Sequence, residues 1–562
     1  MTSDSTASAG IPWVDGLTIG QALEQSAARH AANDALVFPQ LDLRMSYAEF
    51  DRAVYEAAKG LLALGIQPGQ HVAVWATNVP QWVLLQFATA KIGAVLVTIN
   101  PAYRPHELKY VLHQSDSVAL LSVDAFKTSD YFAMLRQVCP ELAGASPGGL
   151  RSADFPKLRW VVSLKGKTPA GAISWSEMLD RGRGIDSRDL MEAGRRLKPG
   201  DAINIQYTSG TTGFPKAATL THRNLLLNAY YVGDCQQITS ADRICIPVPF
   251  YHCFGCVLGT MAAVVRGAAM IIPAESFAPT PTLDAIERER ATAIYGVPTM
   301  FIAELQDATF AGRDLSSLRT GIMAGSPCPI EIMRQVIDRM HASEMTIAYG
   351  LTEFSPVITQ TRTDDPLELR VETVGRPIPG AKVKLIDPET GAELGDNQQG
   401  ELCAHGHGVM LGYYKDPAAT AAAIDDEGWL HTGDLAMRLP NGYYRITGRI
   451  KDMVCRGGEN IYPREIEEFL FTHPAVEQAA VCGVPDPKYV EELCAWIKLK
   501  PDQVATTNEL RDFCRRSLAH YKVPRYVKLV DAFPQTVTGK IQKFRIREIM
   551  IEELGLVPPE TA

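Results

Sequence analysis

The sequence has no uninterrupted apolar run long enough to cross a membrane. Its two best candidates are both broken: Trp82–Ile99 by Gln86 and Lys91, and Cys256–Pro273 by Arg266-Gly267. A spanning helix needs about 20 apolar residues in succession, so both stretches read as buried helix–turn–strand units. No basic run or basic face is present, which excludes the electrostatic footprint of a nucleic-acid binder. The net charge of −9 is a mild acidic excess that favours solubility. The 11 cysteines are odd in number and irregularly spaced, so they do not form a disulfide framework. Cys253-Phe254-Gly255-Cys256 has no second pair at zinc spacing and reads as small buried residues. Reduced thiols fit a cytoplasmic compartment. Met1–Gly10 lacks both the basic and the apolar region of a secretory signal, and residues 1–12 are expected to be disordered. There are no internal repeats.

What is present is a long chain with an α/β rhythm. Its 562 residues exceed what one hydrophobic core organises, while 46% hydrophobic and 21% charged residues are ordinary for a globular protein. Helical patterns at Gly20–His30, Ser46–Leu64 and Pro80–Ile92 alternate with strands at His71–Trp75 and Ala94–Ile99. The alternation returns as helix Thr221–Val232, strand Arg243–Pro247, helix Gly255–Arg266, strand Ala268–Ile272, helix Thr280–Glu289 and strand Ala293–Tyr295. Such succession predicts parallel sheets covered by helices, with ligands beyond the carboxyl ends of the strands. From about 375 to 448 the texture becomes strand–turn–strand. After residue 450 a more charged α+β segment follows, with a helix at Pro463–Phe471. The expected fold is α/β: a large domain over 13–450 with parallel-rich sheets and a small β-rich unit, then a small α+β domain over 451–562.

The most informative stretch is Tyr207-Thr208-Ser209-Gly210-Thr211-Thr212-Gly213-Phe214-Pro215-Lys216. It sets four hydroxyl side chains and two glycines in one loop and closes with a lysine. Bare backbone N–H groups and hydroxyls can donate to phosphate oxygens there, and glycine permits close approach. It is not a Walker A loop, which needs Gly-Lys followed directly by Ser or Thr. The loop therefore points to nucleotide phosphates handled by something other than a P-loop enzyme.

Downstream come Tyr349-Gly350-Leu351-Thr352-Glu353, His431-Thr432-Gly433-Asp434, Gly448-Arg449-Ile450-Lys451-Asp452, Gly457-Gly458-Glu459-Asn460 and Thr538-Gly539-Lys540. With the phosphate loop, this series resembles the adenylate-forming superfamily of acyl- and aryl-CoA synthetases, peptide-synthetase adenylation domains and luciferases, over nearly the whole chain. The resemblance implies attack of a carboxylate on the α-phosphate of ATP to give an acyl-adenylate. Two anions must meet, so positioned cations and donors are needed. Lys540 would bridge the carboxylate and the α-phosphate, and Glu353 would hold Mg²⁺. Thr208, Ser209, Gly210, Thr211, Thr212, Gly213, Lys216, Gly325, Ser326, Gly350 and Thr352 would surround the nucleotide. Tyr349 would stack on adenine, Asp434 would accept from the ribose hydroxyls, and Arg449 would assist. Lys451 occupies the hinge position, so the small domain is expected to be mobile. One orientation would present Lys540 for adenylation, and the other would bring Gly457, Gly458 and Glu459 to a CoA channel. Lys543 and Arg545 follow Lys540 as stand-in cations.

The resemblance is nearest to the medium-chain fatty acyl-CoA synthetase branch, with ATP, Mg²⁺ and CoA as cofactors and a homodimer allowed. His252, as an aromatic gate, Phe254, Val297 and Ala324 are expected to line the acyl pocket. Apolar walls fit a monocarboxylate with an apolar tail, since a second buried charge would need a partner. No carrier-protein domain is expected after Ala562, and CoA is therefore the expected acceptor. The alternative is an adenylating enzyme that acts on an aryl acid or loads a carrier protein.

Overall fold

A computed structural model of the chain describes residues 11–208, 215–326, 328–456, 459–536 and 540–556. Expectations for 1–10, for Ser209 to Phe214, for Gly457 and Gly458, and for Thr538 and Gly539 lie outside the described residues. Among the described residues, sheets of nine and eight strands form the body, a four-stranded antiparallel sheet follows, and a five-stranded sheet closes the chain.

The expected alternation is present. Helix Pro80–Ile92 starts on a proline and stops at Gly93, which is left-handed at φ 74°, as a proline-in, glycine-out helix should. It is buried on nearly all sides and feeds the parallel strand Val95–Ile99 beside His71–Trp75. Helix Tyr47–Ala63 opens with a capping box between Ser46 and Glu49. Among the described residues no helix is long and apolar enough to cross a membrane.

The sheets are parallel-rich, as expected, with antiparallel pairs added toward the Arg376–Pro377, Leu43–Ser46 and Gly412–Tyr413 edges, while the Ile173–Ser174 edge stays parallel. Ala202–Thr208 pairs antiparallel with Lys216–Thr221, and Glu344–Gly350 pairs antiparallel with Val357–Gln360. The expected helix Gly255–Arg266 is instead a π-helix, Phe254–Met261, that tightens into an α-helix, Ala262–Arg266. All of Phe254–Met261 is buried, so packing on every side offsets the poorer π geometry, which tends to mark functional sites.

The closing sheet places alternate residues on opposite faces, as strand periodicity requires. Val481, Leu493, Ala495 and Ile497 face Ile466, Leu470 and Leu510. Cys482, Val484, Cys494 and Trp496 face Ile546 and Met550 of helix Lys543–Leu554.

Candidate active site

The loop read as the phosphate cradle joins two antiparallel strands in which Thr208 lies opposite Lys216. The short strand Gly412–Tyr413 adds to the far side of Lys216–Thr221. The Lys216 ammonium sits 4.9 Å from the centre of the Tyr413 ring, a cation–π contact. Tyr413 donates its hydroxyl hydrogen bond to Glu353 Oε1 at 2.8 Å, and Thr208 Oγ1 donates to the same oxygen at 3.4 Å. Burial first, then Glu353, raise the Tyr413 phenol pKa, so it remains a donor. Glu353 is only 9% exposed and lies in the single turn Thr352–Phe354 after strand Glu344–Gly350. Gly350 is required there, since a Cβ would stand 1.9 Å from the Pro356 carbonyl oxygen.

A second cluster surrounds Asp434. Asp434 and Arg449 are cross-strand partners, and Arg449 Nε donates to Asp434 Oδ1 at 2.7 Å. Tyr349 donates its hydroxyl hydrogen bond to Asp434 Oδ2 at 2.8 Å. Gly433 just before it is left-handed at φ 68°. Thr432 Oγ1 accepts from the Asp434 N–H at 3.1 Å. Against the opposing effect of burial, Asp434 and then Tyr349 hold the Arg449 pKa above its usual value.

Lys540 reaches this cluster from the terminal unit, just before helix Lys543–Leu554. Its N–H donates to Thr536 Oγ1 at 3.1 Å, the Thr536 N–H donates to its carbonyl at 2.8 Å, and Gln535 bridges Ile541, so its backbone is held against Thr536. Burial first, then Arg449, lower its pKa to about 8; Asp434 opposes this and Lys451 adds to it. Among the described residues no carboxylate forms an ion pair with it. The following cations are already engaged: Lys543 Nζ lies 2.7 Å from Glu467, and Arg545 lies 2.9 Å from Glu548. Lys451 lies in the turn Ile450–Asp452 that links the two regions.

Next to this lies an apolar wall. Burial, then Lys540, lower the His252 pKa to about 4, so its imidazole is neutral at pH 7. Its Nδ1 accepts from the Phe254 N–H at 3.2 Å. Phe254 stacks on Tyr295 with ring centroids 6.1 Å apart. Phe254, Val297 and Ala324 are all nearly buried. Gly325 is left-handed at φ 86°, and a Cβ there would stand 3.2 Å from Val297; Ser326 follows it. Cys253 and Cys256 are free and buried, as expected. They grip the side-chain amide of Gln206: Cys253 Sγ donates to Oε1 at 2.8 Å, and Nε2 donates to Cys256 Sγ at 3.1 Å.

Sequence reasoning missed Tyr413 and Gln206. A two-residue strand carries no periodicity, so only its pairing beside Lys216 identifies Tyr413. Gln206, two residues before Thr208 on the same strand, is the one that a reading of strand faces reaches. Glu459 pairs through its backbone with Arg456, whose side chain binds Glu492 at 2.7 Å.

An α/β body ending in a buried glutamate, an aspartate–arginine pair and a lysine delivered by a smaller terminal unit is the architecture of an adenylate-forming enzyme. The comparisons agree. The AMP-binding enzyme family profile matches residues 23–414, and the AMP-binding enzyme C-terminal domain profile matches 465–540; the chain belongs to the AMP-binding enzyme family. YngI of Bacillus subtilis (strain 168), whose name places it among acyl-CoA synthetases, is 51% identical over 96% of this chain and 98% of its own length. The human mitochondrial medium-chain acyl-CoA ligase ACSF2 is 40% identical over 98% of this chain and 92% of its own. Among solved structures, the anthranilate CoA ligase AuaEII with anthranoyl-AMP superposes with a TM-score of 0.84, at 25% identity, over 96% of this chain and 98% of that one.

Proposed function

We propose that the chain condenses an apolar, medium-chain carboxylic acid with ATP to an acyl-adenylate and pyrophosphate, then transfers the acyl group to CoA with release of AMP. The observation that carries this reading is Lys540: a half-buried, desolvated ammonium, without a carboxylate partner among the described residues, set beside Asp434, Arg449 and His252. A cation held at a desolvation cost is stabilised when two anions arrive, and it stabilises their approach in turn.

Asp434 takes the ribose hydroxyls on lone pairs left by Arg449 and Tyr349, since each carboxylate oxygen accepts more than one bond. The Tyr349 hydroxyl bond fixes that side chain for stacking on adenine. Thr208 and Lys216 flank the polyphosphate, with Ser209, Gly210, Thr211, Thr212 and Gly213 between them. Glu353 fits Mg²⁺, which takes few protein ligands and completes its shell with phosphate and water oxygens. Among the described residues both hydrogen bonds fall on its Oε1, which leaves Oε2 for the cation. Bound there, Mg²⁺ would screen phosphate charge. Lys540 then bridges the incoming carboxylate oxygen and the α-phosphate as the acyl–phosphate bond forms and pyrophosphate leaves. In the second step the CoA thiol, losing its proton, attacks the acyl carbon, and AMP departs.

Phe254, Val297 and Ala324 supply apolar contact for the tail. Neutral His252 borders them without adding a charge. The 40–43% identity to medium-chain ligases supports that chain length over an aryl ring, for which the likeness is 25%. The small domain turns about Lys451 between steps, carrying Lys540 away and Gly457, Gly458 and Glu459 in.

The test is pyrophosphate release across C4 to C16 alkanoic acids and aryl acids, with and without CoA. Medium-chain acids should give CoA-dependent thioester. Adenylation without any turnover of CoA would sink the ligase reading. Lys451→Pro should slow thioester formation more than adenylation, and equal slowing of both would count against the rotation.

A further inference from the structure

Strands Gln399–Gly406 and Leu430–Arg438 pair so that Cys403 lies opposite His431. Glu401, two residues earlier on the same strand, projects from the same sheet face. His431 Nδ1 lies 3.6 Å from Cys403 Sγ and 3.0 Å from Glu401 Oε2. The sulfur, nitrogen and oxygen all lie within 4.8 Å of one another. Cys403 is wholly buried and Glu401 nearly so, while His431 is partly exposed.

The spacing matches a particular ion. Zinc bonds of about 2.3 Å to sulfur and about 2.0–2.1 Å to nitrogen, at a tetrahedral angle, set the two ligand atoms about 3.6 Å apart. A thiolate, an imidazole and a carboxylate also suit this borderline-soft cation in charge and softness. The surroundings complete the pattern. His431 Nε2 faces Asp425 Oδ2 at 3.6 Å, and Asp425 Oδ1 is pinned by the N–H groups of Glu427 and Trp429. A carboxylate behind a ligating histidine fixes its tautomer and strengthens it as a ligand. The second oxygen of Glu401 accepts from the Gly433 N–H at 3.0 Å, so Glu401 can ligate through Oε2 without releasing the turn.

We propose that Glu401, Cys403 and His431 form a Zn²⁺ site, with Asp425 orienting the imidazole and water in the fourth position. Binding displaces the thiol proton of Cys403 to solvent. The site is separate from the Glu353 carboxylate. It reaches the nucleotide cluster through the Thr432-Gly433-Asp434 turn, whose Gly433 N–H is held by Glu401. Zn²⁺ there braces Asp434. The proposal stands whether or not the acyl-CoA reading does, because its readout is metal binding.

The experiment uses metal-stripped full-length enzyme titrated with Zn²⁺ against a chromophoric competitor, and with Co²⁺ as the optical probe. One equivalent should bind, Co²⁺ should show a thiolate-to-metal charge-transfer band with tetrahedral d–d absorption, and excess Mg²⁺ should not displace it. Cys403→Ser should abolish that band and weaken Zn²⁺ binding at least tenfold. Asp425→Asn, made at a partly exposed turn outside the core, should keep the stoichiometry and weaken binding about 10–100-fold. Failure to bind an equivalent, or a charge-transfer band that survives Cys403→Ser, would overturn the site. Should the serine variant lose its native circular dichroism, the asparagine variant decides: unchanged affinity there also overturns it.

Discussion

Two desolvated ionisable groups without an ion-pair partner among the described residues occupy very different parts of this molecule. Lys540 stands at the junction of the terminal unit and the body, among Arg449, Asp434, Lys451, Asp452 and His252. Glu304 lies on helix Pro298–Leu305, 1% exposed, with no hydrogen bond to either carboxyl oxygen among the described residues. Burial pushes both toward the neutral form, lowering the lysine to about 8 and raising the glutamate well above its ordinary range. The lysine, at about 8, still keeps its proton at neutral pH; the glutamate is driven toward its protonated form. Burial is the same force in both places. What differs is whether the neighbourhood is polar and opens to an incoming anion, and that separates a working charge from a tolerated one.

Removing the working charge is the largest break. Lys540→Ala should lower ATP–pyrophosphate exchange by about 10²–10³-fold, the scale for losing one donor to a developing charge. Thioester formation from supplied acyl-adenylate should change little. Equal loss in both half-reactions would show that the lysine serves the fold and not the first step.

The depressed pKa sharpens the same contrast. Below about 8 the ammonium is present in the nucleotide-free enzyme; above it the charge is lost. The exchange rate at low ATP, which reports the free enzyme, should fall about tenfold per pH unit on the alkaline side. Lys540→Arg should flatten that limb, because guanidinium stays charged. A limb unchanged in the arginine variant would assign the titration elsewhere. The shift has a stability side as well. Between about 8 and the ordinary 10.5 the unfolded chain binds the proton more tightly than the folded one. Nucleotide-free stability should therefore rise with pH through that window.

The sequence made the body of this site legible because each of its motifs is local. Helix Pro80–Ile92 and helix Pro463–Phe471 carry their own start signals, and the Thr352–Glu353 and Gly433–Asp434 pairs sit on turns that glycine marks. What stayed hidden depends on cross-strand register. Tyr413 touches Glu353 only because Gly412–Tyr413 pairs with Lys216–Thr221. Cys403 meets His431 only because of the pairing of their two strands. The π-helix Phe254–Met261 was hidden for another reason: its apolar residues fit an α-helical pattern equally well, and the choice is made by tight packing, with Gly255 standing where a Cβ would lie 2.2 Å from the Pro249 carbonyl oxygen.

A smaller effect tests the support beneath Glu353. Tyr413→Phe deletes the 2.8 Å hydrogen bond to its carboxylate and leaves the ring under Lys216. A bond to a charged acceptor is worth about 1.5–3 kcal/mol, part of which water recovers at this half-buried position. The KM for MgATP in the exchange reaction should rise about tenfold with little change in melting temperature. An unchanged KM would mean that Thr208 alone suffices to hold the carboxylate.

The smallest effect concerns the charge that does nothing. Glu304 lies near Cys245, which is itself fully buried with its thiol pKa raised by that burial. Folding favours the protonated form of Glu304, because its folded pKa lies above the unfolded one. The cost of that protonation is absent below the unfolded pKa and grows as pH rises. Glu304→Met keeps the volume and removes the unpartnered polar atoms, so it should stabilise by about 1–3 kcal/mol at pH 7.5. The gain should shrink at pH 5, where less proton uptake is needed. Melting curves at the two pH values read it directly. A methionine variant less stable than the parent at pH 7.5 would show that the carboxyl has a partner in solution, and would place Glu304 with Lys540 among the charges that the fold keeps for use.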